Sequence, residues 1–175
     1  MNLHSSVGKI VFDFSTASHA AGWQIVNDDV MGGVSDGEFR LAKGVAVFSG
    51  HISLENKGGF ASVRSLPSQQ SVSGCNAFVI RICGDGRRYK FTARTEPEFD
   101  SPLYQHAFAT TLGEWQESRL RFEHFVPTFR GRVLIDAPPL DPANVLSVGF
   151  LISDKQAGPF RLEIDWIKSV SLKQK

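Results

Sequence analysis

Residues 27–33, Asn27-Asp28-Asp29-Val30-Met31-Gly32-Gly33, set two adjacent carboxylates against a pair of glycines. That pattern suits two chemistries. Asp28 and Asp29 could accept hydrogen bonds from a polar ligand, or they could begin a calcium site, since calcium takes about six to eight oxygens in a flexible array. Two carboxylates and loop carbonyls begin such a site without completing it. A sharp turn explains the same residues. Gly32, Gly33 and Gly37 permit positive φ, and aspartates and Ser35 bond to nearby backbone amides in turns.

A second glycine-rich stretch, "NKGGFASVR", spaces Phe60, Ser62 and Arg64 two residues apart, which puts all three on one face of a strand. An arginine beside an aromatic ring and a hydroxyl makes a recognition surface, because the guanidinium offers a rigid fork of donors. The same arginine could instead bridge to Asp28 or Asp29, and an ion pair at a loop base is compatible with a binding face. In "CGDGRRYKF", Asp85-Gly86 predicts a tight hairpin turn between strands. The stretch lacks the glycine and lysine pattern of a phosphate-cradling loop.

Catalytic constellations are not supported. The chain has no G-x-S-x-G, no H-E-x-x-H and no C-x-x-C. His4, His19, His51, His106 and His124 show no metal-ligand spacing, and Ser62, His106 and Asp29 form a triad only on paper. Glu96 and Glu98 in "TEPEFDSP" read as solvated loop carboxylates rather than a glycosidase pair. A non-enzymatic protein without cofactor or metal is expected, with Asn27, Asp28, Asp29, Met31, Gly32, Gly33, Phe60, Ser62 and Arg64 as candidate binding residues.

The elements that must carry these residues are strands. In "FRLEIDWIKSV", Phe160, Leu162, Ile164 and Trp166 alternate with Arg161, Glu163 and Asp165, as in a half-buried antiparallel strand. Similar runs occur at "KIVFDF", "VAVFSG", "FASVR", "YKFTART", "LYQHAFAT", "WQESRLRF" and "LSVGFLI", closed off by Gly, Pro, Asp or Ser. No window repeats apolar residues at helical spacing over three turns. The best helix start is "LDPANVLS", where Asp141 can cap and Pro142 can take the first position, for one or two turns only. "RGRVLIDAPPLDP" reads as a long surface connection. An all-β sandwich or barrel follows.

Composition narrows the partners. With 19 Lys and Arg against 18 Asp and Glu, the net charge of +1 gives no bulk field for a phosphate backbone or an anionic bilayer. No run approaches the roughly 20 apolar residues of a membrane span, and "MNLHSSVGKIVFDF" reads as neither a secretory signal nor an arginine-rich presequence. At 175 residues the chain is expected to form a single domain, residues 1–175, in the cytoplasm, without nucleic acid or membrane insertion. Cys75 and Cys83 would stand about 26 Å apart on one strand, so both are expected as free thiols.

Five segments, "GWQIVNDDVMGGVSDG", "FSGHISLENKGGFASVR", "CGDGRRYKF", "GEWQESRLRFEHFVPTFRGR" and "GPFRLEIDWI", resemble in order the complex I intermediate-associated protein 30 family, from about Phe12 to Ile167. The resemblance implies a galactose-binding-domain-like jelly roll, a β-sandwich of two antiparallel sheets face to face. For function it implies an assembly-factor or chaperone-like protein whose partners are respiratory complex subunits or assembly intermediates. The chain looks like a free-standing bacterial member, and the family brings no catalytic residues to carry over. Two functional classes follow. One is a protein-binding module built around Asp28, Asp29, Met31 and Arg64. The other is a carbohydrate- or small-ligand-binding module, with Trp23, Tyr104 or Trp115 stacking on a ring. Trp23 and Trp115 lie on strand-like runs and are expected in the core.

Overall fold

The computed structural model describes residues 8–27, 35–70, 72–98 and 101–173. Strands run through all of these segments: β1 (Lys9–Asp13), β2 (Gln24–Asn27), β3 (Asp36–Ala42), β4 (Val45–Ile52), β5 (Ala61–Arg64), β6 (Ala77–Cys83), β7 (Arg88–Arg94), β8 (Leu103–Ala109), β9 (Trp115–Arg121), β10 (Val126–Phe129), β11 (Arg132–Val133), β12 (Ser147–Ile152) and β13 (Gly158–Val170). One helical turn, α1 (Ala17–Ala20), follows β1. Asp141 caps a short 3-10 turn over Pro142–Asn144, its carboxylate accepting from the Ala143 amide at 3.0 Å.

The strands form two antiparallel sheets. The six-stranded sheet runs β3, β4, β13, β6, β9, with β1 beside the second half of β13. The seven-stranded sheet runs β11, β10, β8, β7, β12, β5, β2. Period-two alternation sends one face of each sheet into a shared core, where apolar area leaves water at about 25 cal/mol per Å². Phe78 of β6 meets Phe91 of β7 at 5.0 Å between ring centroids, and Phe91 meets Phe150 of β12 at 5.3 Å. Trp23 closes the same core beside Phe39, stacked at 5.0 Å, and its Nε1–H donates to the His19 carbonyl.

Three local readings change. The pairing of β13 with β6 shifts register between Ile164 and Trp166, and one extra residue in a strand reverses the faces beyond it. Phe160, Leu162 and Ile164 point inward as the alternation predicts, but Ile167 takes the next inward place. Trp166 instead packs outside, with Ala77, Val79 and Val170, beneath the Lys168 ammonium at 4.1 Å.

Asp85-Gly86 does not close a hairpin. The strands on either side belong to different sheets, so this turn carries the chain from one layer to the other. Its carboxylate accepts from the Arg87 amide, the Tyr89 hydroxyl and the Arg161 amide at 3.1, 3.0 and 2.8 Å. The stretch read as a surface connection holds the short edge strand β11, which pairs Arg132 and Val133 with β10.

Candidate functional site

The outer face of the seven-stranded sheet carries a groove of about 580 Å³. Alternation decides what lines it. On β7, Tyr89, Phe91 and Ala93 go inward, which leaves Lys90, Thr92 and Arg94 outward. On β5, Ala61 and Val63 are buried, and Ser62 and Arg64 face the groove with Phe60 just before them. Leu103 and Gln105 of β8 and Ser147 and Leu151 of β12 complete the floor.

Gly149 sits at the centre of that floor. It pairs with Arg64 on one side and Thr92 on the other. A Cβ there would run into the Val63 carbonyl oxygen and come within 3.0 Å of the Thr92 hydroxyl. Absence of a side chain at this point keeps β12 low between its neighbours and leaves the groove open.

Cations are concentrated here. Arg64, Lys90, Arg94 and Arg130 all line the groove, and Asp154 is the acid among its described lining residues. Lys90 reaches the Asp154 carboxylate at 3.2 Å and the Ser153 hydroxyl at 3.2 Å. Arg94 donates to the Ser101 carbonyl at 3.2 Å. Burial, and after it the charge of Arg64, pulls the Arg94 guanidinium down to about 10, so it remains charged at neutral pH. Burial alone lowers Arg64. Ser62 is fixed by donation to the Val26 carbonyl at 2.7 Å.

Of the residues singled out in the sequence, Phe60, Ser62 and Arg64 come together in this groove. The Asn27 backbone ends β2, paired with Ala61. Asp28, Asp29, Met31, Gly32 and Gly33 lie outside the described residues, and with them the calcium reading and the ion pair to Arg64. Among the described residues no group of three His, Cys, Asp or Glu side chains is placed to hold a metal.

The paper triad fails on geometry. Ser62 faces outward, whereas His106 pairs with the inward Phe91 and packs edge-on against Phe125 at 5.3 Å. Glu96 and Glu98 are exposed loop residues. Cys75 and Cys83 are both free thiols, the first half-buried and the second buried.

The three candidate stacking aromatics do not form a platform. Trp23, just before β2, is partly buried and packs against the core rather than within it. Tyr104 is buried, its hydroxyl donating to the Pro138 carbonyl at 2.9 Å. Trp115, expected in the core, is 39% exposed, because alternation sets it on the outer face of β9 with Glu117 and Arg119, where the Arg81 guanidinium covers its ring at 5.1 Å. Among the described lining residues, the rings in the groove are Phe60 and Phe129.

Sequence reasoning missed Lys90, Thr92, Arg94 and Gly149. The signal for the first three was the polar face of "YKFTART", two cations and a hydroxyl at period two with no acid between them. Gly149 carried no such signal, since only the pairing of β12 with both β5 and β7 gives it a role.

Solved structures with a similar fold include carbohydrate-binding modules. The family 11 carbohydrate-binding module of cellulase Lic26A-Cel5E from Clostridium thermocellum superposes with a TM-score of 0.70 at 15% identity, over 98% of each chain. The same family's module in complex with a β-1,3-1,4-mixed-linked tetrasaccharide gives 0.69 at 16% identity, over 98% of this chain and all of that one. At such identities the likeness establishes the galactose-binding-like β-sandwich and nothing about ligands.

Sequence relatives are of another kind. The mitochondrial complex I intermediate-associated protein 30 of Mus musculus is 29% identical over 180 residues, covering 91% of this chain and 55% of the mouse protein. Its Drosophila melanogaster counterpart is 28% identical over 181 residues, covering 90% and 61%. The chain thus spans little more than half the length of these relatives. Residues 12–164 match the family described as Complex I intermediate-associated protein 30, and the chain belongs to that family.

Proposed function

We propose that the chain is a non-enzymatic protein-binding module of the assembly-factor type, with a chaperone-like role toward subunits or intermediates of a respiratory complex. Its groove on the seven-stranded sheet is the surface that holds the client. One observation carries this reading: the groove sets guanidinium groups beside apolar side chains, Arg64 and Arg94 beside Phe60, Leu103, Leu151 and Phe129. Charges give specificity and apolar surface gives affinity, the mixture that protein interfaces use. The family's name supports an assembly role.

A sugar ligand is the second reading. It is favoured by the hydroxyls of Ser62, Thr92, Thr128 and Ser147 along the groove. Against it stands the lining itself, whose described rings are two phenylalanines rather than the broad Trp or Tyr platforms that pair an apolar face with a polar edge.

Affinity capture from the native organism separates the two. Wild type, Arg64→Ala and Arg94→Gln are used side by side, with retained proteins identified by mass spectrometry. A defined protein set held by the wild type and lost from both variants is expected. Equal capture by all three would remove the groove from the account.

A further inference from the structure

We infer that the groove grips the main chain of an extended client segment through two side chains, the Thr92 hydroxyl and the Gln105 carboxamide, and leaves the segment's own side chains to apolar walls on either side. This inference rests on the protein-client reading and adds how the segment is recognised.

Hydrogen-bond accounting singles out these two. Ser62 donates to the Val26 carbonyl at 2.7 Å, Ser101 to the Glu98 carbonyl at 2.7 Å, Thr128 to the Leu103 carbonyl at 2.9 Å and Ser147 to the Ser65 carbonyl at 2.8 Å. Ser153 accepts from Lys90 at 3.2 Å. Thr92 is only 6% exposed, yet its hydroxyl has no hydrogen-bond partner among the described residues, and neither has the Gln105 carboxamide beside it. A buried polar group without a partner is costly, and native proteins leave few of them. The Thr92 hydroxyl leans toward Gly149, where a Cβ would come within 3.0 Å of its oxygen, so the bare glycine opens the space above it. An outside group that descends there completes the bonding.

Register gives the outside group its shape. Gly149 pairs with Thr92, Thr92 with Gln105 and Gln105 with Val126, so the four positions form one row across β12, β7, β8 and β10. Three strand spacings make the row about 14 Å long, the reach of about four extended residues. Leu151 flanks the row on the side of Lys90, and Leu103 flanks it on the opposite side, two residues before Gln105. An extended peptide laid along the row turns one edge of N–H and C=O groups onto Thr92 and Gln105 and sends alternate side chains toward the two leucines. A carboxamide holds donor and acceptor together, so Gln105 can bond both groups of one residue while the Thr92 hydroxyl serves a neighbour. Main-chain bonds of this kind hold unrelated sequences alike, which suits a chaperone-like role. The walls beside the row are leucines, not the flat Trp or Tyr rings on which a sugar stacks.

The test is fluorescence anisotropy with a labelled, capped octapeptide of alternating leucine and serine, beside two counterparts in which esters replace the amides along one edge or the other. The β-1,3-1,4-linked tetrasaccharide is titrated in parallel by calorimetry. The amide peptide is expected to bind about fivefold tighter than one of the ester counterparts. Thr92→Val and Gln105→Met should each weaken the amide peptide about fivefold and leave that ester counterpart nearly unchanged. Without peptide, Thr92→Val should unfold at the wild-type urea midpoint or above it, because the hydroxyl holds nothing within the protein. Equal binding of the amide and both ester peptides, or a loss of stability in Thr92→Val, overturns the inference. If no peptide binds while the capture experiment still shows a groove-dependent protein set, main-chain recognition is wrong and the client reading survives. If the tetrasaccharide alone binds, both fall.

Discussion

Arg64 and Arg94 flank β12 from opposite sides, Arg64 paired with Gly149 and Arg94 paired with Ser147. The pairing makes Gly149 a position where side-chain volume and groove volume compete. Gly149→Ala is expected to destabilise the fold by about 1–3 kcal/mol, since the added methyl must displace the Val63 carbonyl or the Thr92 hydroxyl. Denaturant unfolding measures this, and a midpoint equal to the wild type would show that β12 has room to give.

Asp85 is expected to matter for stability although it sits in a turn. It satisfies the hydroxyl of buried Tyr89, whose phenol is pushed far up by burial and then by the Asp85 charge. Asp85→Ala leaves that hydroxyl and the Arg161 amide without this acceptor, at a cost of about 1–3 kcal/mol for a buried unsatisfied group. Asp85→Asn, which keeps an acceptor, should cost less. Urea titration of both variants orders them.

His106 predicts a pH dependence. Burial, with a smaller contribution from His124, holds its imidazole below the ordinary value of about 6.5, so the folded state favours the neutral ring. Above that value the ring is neutral in both states and its contribution is full. As pH falls through about 6.5 the unfolded chain takes up a proton that the folded chain resists, and stability declines. His106→Gln should flatten the decline between neutral pH and pH 5, measured as the midpoint of urea unfolding. An unchanged slope would assign the acid sensitivity to other groups.

The thiols should differ in reactivity. Burial first, and then the Glu163 carboxylate, raises Cys83, which keeps it protonated and inert. Cys75 is half-buried. Under native conditions a thiol reagent should modify Cys75 well before Cys83, read by peptide mass. Faster labelling at Cys83 would mean that β6 opens more readily than its central place in the sheet implies.

Strand identity was legible because each strand buries one face, and period two survives in the sequence wherever that holds. Residues 160–164 show it, and the bulge at Asp165 is where it fails, because an extra residue leaves no mark in composition. Asp85-Gly86 is good turn chemistry, but whether a turn joins neighbours in one sheet or crosses between sheets depends on distant partners. Arg64 was legible as a recognition residue from its local neighbours. Arg94 gains its place from β12 lying between β5 and β7, a pairing of segments far apart in the chain. Trp115 was misjudged although the signal was local, since period two sets it on one face of β9 with Glu117 and Arg119 and leaves the inward face to Gln116, Ser118 and Leu120.

The central claim is that the groove of the seven-stranded sheet is where a protein client rests. Site-specific photo-crosslinking in the native organism tests it most directly, with the photoreactive residue placed at Gln105 in the groove or at Glu117 on β9 of the other sheet. Discrete protein adducts from position 105, reduced in the Arg94→Gln background and absent from position 117, are predicted. Adducts of the same proteins at position 117 with none at position 105 would contradict the account.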